Sequence, residues 1–223
     1  MGKIVAEISV SLDGYVAGPN PTLENPLGEG GDQLHEWAFP LKSWREPHGL
    51  PGGETGPDDE LVTESLRATG AVVMGRRMFS GGEGPWEDDT NANGWWGDDP
   101  PFHKPVFVLT HHAREPLVMD GGTTFTFVTE GLESAIEDAR AAAAEQDVLV
   151  AGGADAIDQS INAGLVDDLQ LHLAPVLLGG GARLFDGVGP AVPRFEVTQV
   201  LESPRVTHLR YRAVPADAAP VDA

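Results

Sequence analysis

The chain of 223 residues contains no cysteine. Disulfide frameworks, thiolate metal sites and cysteine nucleophiles are excluded together. Positive charge is also scarce: 14 Lys and Arg stand against 35 Asp and Glu, a formal net charge of -21 at pH 7. The summed field repels polyanions, so no nucleic-acid partner and no anionic membrane surface is expected. No apolar run approaches the roughly 18 to 20 residues needed to cross a bilayer. Met1-Gly2-Lys3-Ile4 leads straight into an alternating strand instead of a signal peptide, and the expectation is a cytoplasmic protein with no membrane partner. His111 and His112 are neighbours on a strand end and point in opposite directions, with no further ligand spaced to join them, so no metal is expected. No Gly-x-Ser-x-Gly elbow is present, which leaves a serine hydrolase without support.

What remains is a chain with 41% hydrophobic residues, 28 Gly and 18 Pro. Its length fits one α/β domain, placed at residues 1–214, with Gly- and Pro-rich insertions at about 18–58 and 80–102 and a flexible tail at 215–223. Residues 3–11 alternate as a first strand, closed by the turn Leu12-Asp13-Gly14-Tyr15. A short helix is expected around 34–44, and a second helix opening on the capping aspartates Asp58 and Asp59. Strand 71–74 follows. Beyond the second insertion come strands 105–110 and 123–128, helix 132–145, strand 148–151, helix 154–163 and strand 168–174, then an antiparallel hairpin of 195–201 and 206–214. Strands alternating with helices predict a mostly parallel sheet covered on both faces.

Two strand-to-helix corners carry the functional signal. In Val148-Leu149-Val150-Ala151-Gly152-Gly153-Ala154-Asp155, side-chain-free residues precede a helix whose first N–H groups lack helical partners, which suits a diphosphate. A Gly-Gly pair at a strand end is more often a plain tight turn. In Val73-Met74-Gly75-Arg76-Arg77-Met78-Phe79, two guanidinium groups stand where a second anion would sit, or pair with the surplus acids. Ala151-Gly152-Gly153-Ala154 lacks the third glycine of a Rossmann fingerprint, and Gly179-Gly180-Gly181 does not lead into a long helix.

The order of these segments, with Ser11-Leu12-Asp13-Gly14, Val108-Leu109-Thr110 and Leu173-Ala174-Pro175-Val176-Leu177-Leu178-Gly179-Gly180-Gly181, resembles the dihydrofolate reductase-like superfamily. Within it the resemblance is to the bacterial riboflavin-biosynthesis reductase domain, the C-terminal part of the bifunctional deaminase-reductase. It implies a three-layer α/β fold with a mostly parallel central sheet, helices on both faces and a C-terminal antiparallel hairpin. It further implies NADPH as cofactor, a small heterocyclic substrate and a homodimer. By the same resemblance Ala6, Val16 and Ala17 lie near the nicotinamide, and Gly75, Arg76 and Arg77 near the adenosine 2′-phosphate. Thr110, with His111 beside it, meets the adenine-ribose side, and Gly152, Gly153, Ala154 and Asp155 hold the diphosphate.

Asp13 is either half of an ordinary Asp-Gly turn or the orderer of a loop over the nicotinamide that touches substrate. Asp32 and Glu36 are candidates for a substrate-binding carboxylate, and Lys104 and Arg183 for a substrate phosphate. Trp86, Trp95 and Trp96 are core anchors or a wall on which a heterocycle stacks. The activity implied is NADPH-dependent hydride transfer, either to 5-amino-6-(5-phosphoribosylamino)uracil or in a dihydrofolate reductase-like reduction. The alternative is a nucleotide-binding protein without turnover.

Overall fold

The computed structural model describes residues 2–22 and 24–214, so the tail at 215–223 lies outside the described residues. The strands are β1 (Ile4–Ser11), β2 (Tyr15–Ala17), β3 (Thr69–Gly75), β4 (Pro105–Leu109), β5 (Leu117–Val118), β6 (Thr124–Val128), β7 (Asp147–Gly152), β8 (Asp168–Ala174), β9 (Ala182–Arg183), β10 (Arg194–Glu202) and β11 (Thr207–Val214). The helices are α1 (Lys42–Arg45), α2 (Pro57–Ala68), α3 (Arg76–Ser80), α4 (Leu132–Ala143) and α5 (Ala154–Asn162). Nine strands form one sheet in the order β10-β11-β8-β1-β7-β3-β4-β6-β5, parallel from β8 to β6. β2 and β9 form a separate antiparallel pair. The C-terminal ends of the six parallel strands therefore share one edge.

Strand alternation sorts the side chains. On β1, Ile4, Ala6 and Val10 enter a core shared with Val148 and Val150 of β7, Ala71 and Val73 of β3, and the apolar faces of α4 and α5. On α4 that face is Leu132, Ala135, Ile136, Ala139 and Ala143, a helical spacing. The other face is divided. Over β3, β4 and β6 it is apolar, with Val72, Met74, Val106, Val108, Phe125 and Phe127 packed beneath Phe79, Trp86 and Trp96. Over β1, β8 and β11 it is polar and covered by α2 and the segment carrying Trp37.

Two local expectations change, and the helix at the second corner is short. Helix α2 begins at Pro57 behind Gly56, so the aspartates do not cap it: proline suits the first helical position, and Asp59 turns away to accept from the Ser43 N–H at 2.7 Å. The helix after Gly75 is only five residues long and stops at Gly81, whose φ of 80° is a left-handed cap. In place of one helix around 34–44 there is a 3-10 turn at Gly31–Leu34 and the single turn of α1, since Pro40 lies between them.

Candidate functional site

The two glycine corners are side by side. β3 pairs with β7, with Met74 opposite Gly152. A Cβ placed on Gly75 would lie 3.7 Å from the Gly153 nitrogen. Gly153 is the N-cap of α5, its carbonyl accepting from the Ala156 and Ile157 N–H groups. The first-turn N–H groups of Ala154 and Asp155 point out of the helix, as helix geometry requires. A Cβ on Gly153 would meet nothing within 4 Å, so the space above it is open. Gly152 differs: its φ of 126° is one that L side chains rarely adopt, and a Cβ there would meet Ile8 Cδ1 at 3.2 Å.

The adjacent arginines have different fates. Arg77 is two-thirds exposed, pairs with Glu83, and has Nη1 3.8 Å from the Asp155 carboxylate, so it spans the two corners. Its pKa is raised by the Glu83 hydrogen bond first, against some desolvation, with Glu83 and Asp155 charges adding. Arg76 points inward. Its guanidinium is 2.5 Å from Asp89, hydrogen bonds Ser80, and lies 3.5 Å over the Trp86 ring. Arg76 is 7% exposed and the Asp89 side chain 3%, so this is a buried ion pair. Burial would raise the Asp89 pKa, but hydrogen bonds from Ser80 and Arg76 outweigh it and hold the carboxyl below its ordinary value.

The remaining expected residues are spread over the fold, with Thr110 and His111 at the strand-end edge that carries the glycine corners. Ala6 is fully buried in the α4–α5 core and Val16 is 7% exposed in the same cluster, while Ala17 pairs with β9. Thr110 is buried, its N–H bonded to Val128 O and its hydroxyl accepting from the His112 N–H at 3.1 Å; His111 is exposed beside it. Lys104 donates to the carbonyls of Leu66 and Thr69 at the opposite end of β4 from this edge. Arg183 stacks on Tyr15 at 4.6 Å and bonds its hydroxyl. Asp32 and Glu36 are exposed. Trp86 and Trp96 serve the core, against Phe79 and Phe127 in one case and Phe102 in the other.

Asp13 fastens a loop. Its carboxylate accepts from Ser11 Oγ at 2.6 Å, Leu178 N at 3.1 Å and Gly179 N at 2.7 Å, tying the turn after β1 to the glycine-rich segment. The Ser11 bond first, then the two backbone N–H donors, outweigh partial desolvation and lower its pKa to about 2.

The polar half of the sheet holds residues that the sequence reading did not single out. Glu7 and Ser9 of β1, Gln170 and His172 of β8, and His208 and Arg210 of β11 share one face. Glu7 Oε1 lies 3.0 Å from His172 Nε2, His172 Nδ1 is 2.7 Å from His208 Nδ1, and His208 Nε2 is 3.2 Å from Asp58 Oδ1. Ser65 on α2 donates to Glu7 Oε2 at 2.5 Å. Trp37 covers both imidazoles at 4.8 and 5.0 Å and donates its ring N–H to Ser9. Burial would raise the Glu7 pKa, but bonds from His172 and Ser65 hold it below the usual value. Desolvation first, then the His172 charge, lowers that of His208 against the pull of Asp58. Burial takes His35 down to about 4. The available signal was the alternation itself: Glu7, Ser9 and Ser11 on one side of a strand, with Gln170 and His172 likewise on β8, describe a polar buried face.

This face reaches the glycine corners. Ala6 pairs with Val150, so Glu7 runs beside Ala151, whose side chain packs on the same sheet face as Leu149. Glu7, Ser9, Ala151 and Trp37 thus adjoin the edge at Gly152. Among the described residues no metal-holding cluster of His, Asp and Glu occurs, and no helix is long and apolar enough to cross a membrane.

Comparison with known proteins agrees with this architecture. The model of the RibD C-terminal domain matches residues 2–209. YyaP of Bacillus subtilis strain 168, an uncharacterized protein, is 22% identical over 187 residues, covering 82% of this chain and 80% of its own. A putative riboflavin biosynthesis protein from Shewanella sp. PV-4 superposes with a TM-score of 0.62 at 23% identity, over 96% of this chain and 99% of that one. The diaminohydroxyphosphoribosylaminopyrimidine deaminase/5-amino-6-(5-phosphoribosylamino)uracil reductase of Thermotoga maritima gives 0.55 at 16% identity, over 96% of this chain and 57% of its own. A pyrimidine reductase-like protein from Corynebacterium diphtheriae gives 0.54 at 13%, over 96% and 92%. The fold is dihydrofolate reductase-like.

Proposed function

Because the chain belongs to the RibD C-terminal domain family, we propose that it is an NADPH-dependent reductase that transfers hydride to a small heterocyclic substrate. Its reaction is closest to the reduction of 5-amino-6-(5-phosphoribosylamino)uracil or to a dihydrofolate reductase-like reduction. The observation that carries this reading is the adjacency of Gly75 and Gly153 on one sheet edge, with open space above Gly153 and Arg77 reaching from one corner to the other.

The residues present fit the cofactor. The N–H groups of Ala154 and Asp155 would receive the diphosphate at the positive end of α5. Arg77 would leave Glu83 for the 2′-phosphate, its planar fork suiting that anion. NADPH, when bound, supplies the hydride. The protein supplies position: Asp13 holds the turn after β1 against residues 178–179, which fixes one wall, and Trp37 closes the polar face from above. The fastening of Asp13 favours its role as loop orderer over direct substrate contact. Val197 and Val200, each about three-fifths exposed on the outer strand β10, support pairing of two copies along that edge. A cytoplasmic location belongs to the same proposal.

The test is a titration with NADPH and with NADH, followed by absorbance at 340 nm with either acceptor present. Preferential NADPH binding with oxidation on adding acceptor is the expected result. Binding without oxidation identifies the non-catalytic alternative, and no binding of either nucleotide overturns the reading.

A further inference from the structure

The row of contacts beneath Trp37 obeys a proton count. Glu7 to His172, His172 to His208 and His208 to Asp58 are three contacts, at 3.0, 2.7 and 3.2 Å, between atoms that each carry a lone pair when deprotonated. Each contact needs one proton between its two atoms. Two neutral imidazoles bring only two. With both carboxylates ionised, a third proton must reside in the chain, because without it one buried contact would set lone pair against lone pair. His172 and His208 are 4% and 2% exposed, so water cannot readily substitute.

Every charged or titratable neighbour is consistent with one shared positive charge here. Arg210 on β11 is engaged by Gln170 on β8, and Ser65 on α2 is bonded to Glu7. His35 lies close enough to His172 to feel its charge, is held neutral by burial, and leaves its Nδ1 buried without a partner among the described residues. Asp32 is near His35, and Arg205, paired with Glu54, is near Asp58. The two ends of the chain differ. Asp58 lines a cleft formed with Leu41, Glu54, Pro57, Pro204 and Arg205. Glu7 lies beside Ala151, next to the glycine corner.

We propose that Glu7, His172, His208 and Asp58 form a proton store and relay, charged from the Asp58 cleft and discharged through Glu7 to the substrate during hydride transfer. This rests on the reductase reading. The hydride pair forms a C–H bond at the carbon of a C=X group, where X is nitrogen or oxygen. The π pair of C=X moves to X and takes a proton from the Glu7 carboxyl, which has received it from His172 Nε2. As His172 Nε2 gives up its proton, Nδ1 takes the one on His208 Nδ1 and a solvent proton enters at Asp58; reorientation of both rings then returns one proton to each contact, the Asp58 proton moving onto His208. The sum is NADPH, H⁺ and C=X giving NADP⁺ and HC–XH. Glu7 is the catalytic residue; the other three act through it as positioning and relay groups.

Nitrogen-15 NMR of the imidazoles in the full chain at pH 7 reads the store directly. Three ring N–H protons on the His172–His208 pair are expected, and two would overturn the proposal. Asp58→Asn keeps a hydrogen-bonding group and removes the charge, so the spare proton should be lost about 1 pH unit lower than in the wild type. An unshifted titration overturns the relay. In turnover with NADPH and 5-amino-6-(5-phosphoribosylamino)uracil or dihydrofolate, the alkaline limb of kcat should fall by the same shift while the acid plateau is kept. A uniform loss at all pH values would instead mean a structural role for Asp58 and also overturns the relay. Glu7→Gln should lower kcat about 100-fold or more with the KM for NADPH unchanged. If neither acceptor is reduced by the wild type, the reductase reading fails while three N–H protons still establish the store.

Discussion

Replacing each of two adjacent arginines should damage different properties. Arg76 and Asp89 are 7% and 3% exposed, and Arg76 also caps the Trp86 ring at 3.5 Å. Arg76→Ala would leave the Asp89 carboxylate buried without its cation, a change that costs about 3 to 5 kcal/mol in comparable buried pairs. For a chain of this length that corresponds to a fall in Tm of roughly 6 to 20 °C. Arg77 is 67% exposed and its pair with Glu83 lies in solvent, so its removal should cost about 0 to 1 kcal/mol of stability. Its loss should instead be felt in binding. A charge-assisted contact to the 2′-phosphate is worth about 1.5 to 3 kcal/mol, less what is spent in releasing Glu83, which leaves about a 5- to 100-fold weakening of NADPH binding. NADH, lacking that phosphate, should bind Arg77→Ala and wild type alike. Differential scanning fluorimetry and nucleotide titration on the two variants give the comparison. Equal weakening of NADPH and NADH in Arg77→Ala would remove the phosphate assignment, and an unchanged Tm in Arg76→Ala would refute the buried-pair argument.

The buried pair also has a pH signature. The folded pKa of Asp89 is depressed, so its contribution is complete above the ordinary aspartate value and is lost as pH falls through the folded one. Asp89→Asn should therefore flatten the acid side of the Tm-against-pH curve, and a curve parallel to the wild type would contradict this. Asp13, with a pKa of about 2, should hold residues 178–179 in place at pH 4 and above and release them only as pH falls toward 2. Asp13→Ala should accelerate amide exchange at Leu178 and Gly179 at neutral pH, whereas unchanged protection would show that the loop needs no fastening. Gly152→Ala meets a φ of 126° and Ile8 at 3.2 Å and should lower Tm, by about 1 to 3 kcal/mol of stability.

Much of the fold was legible because the sequence patterns are local. The Val- and Ala-rich runs ending in Gly75 and Gly152, alternating with helices, specify parallel strands, and Pro204 in the last turn marks the terminal hairpin. The positions of the corners on one edge followed from that topology. The fates of Arg76 and Arg77 did not, because successive residues of a helix point about 100° apart and the partner that buries Arg76 lies in the Gly-rich segment beyond α3, at Asp89. The burial of the Ala6 side chain was not legible for a related reason: in a strand covered on both faces, a small apolar residue does not reveal which side it fills. The row from Glu7 to Asp58 depends on the register of three strands far apart in sequence and on a helix crossing them. Each of its residues alone is an ordinary strand or helix residue.

The most direct test of the cofactor assignment is Gly153→Ala. Beyond its own chain neighbours an added methyl meets no protein atom within 4 Å, so folding should be unaffected, and only a ligand occupying that space would feel it. The expected result is a wild-type Tm with NADPH binding weakened about 10-fold or more, equivalent to about 1.4 kcal/mol. A variant that binds NADPH as tightly as the wild type would contradict the placement of the diphosphate at this corner.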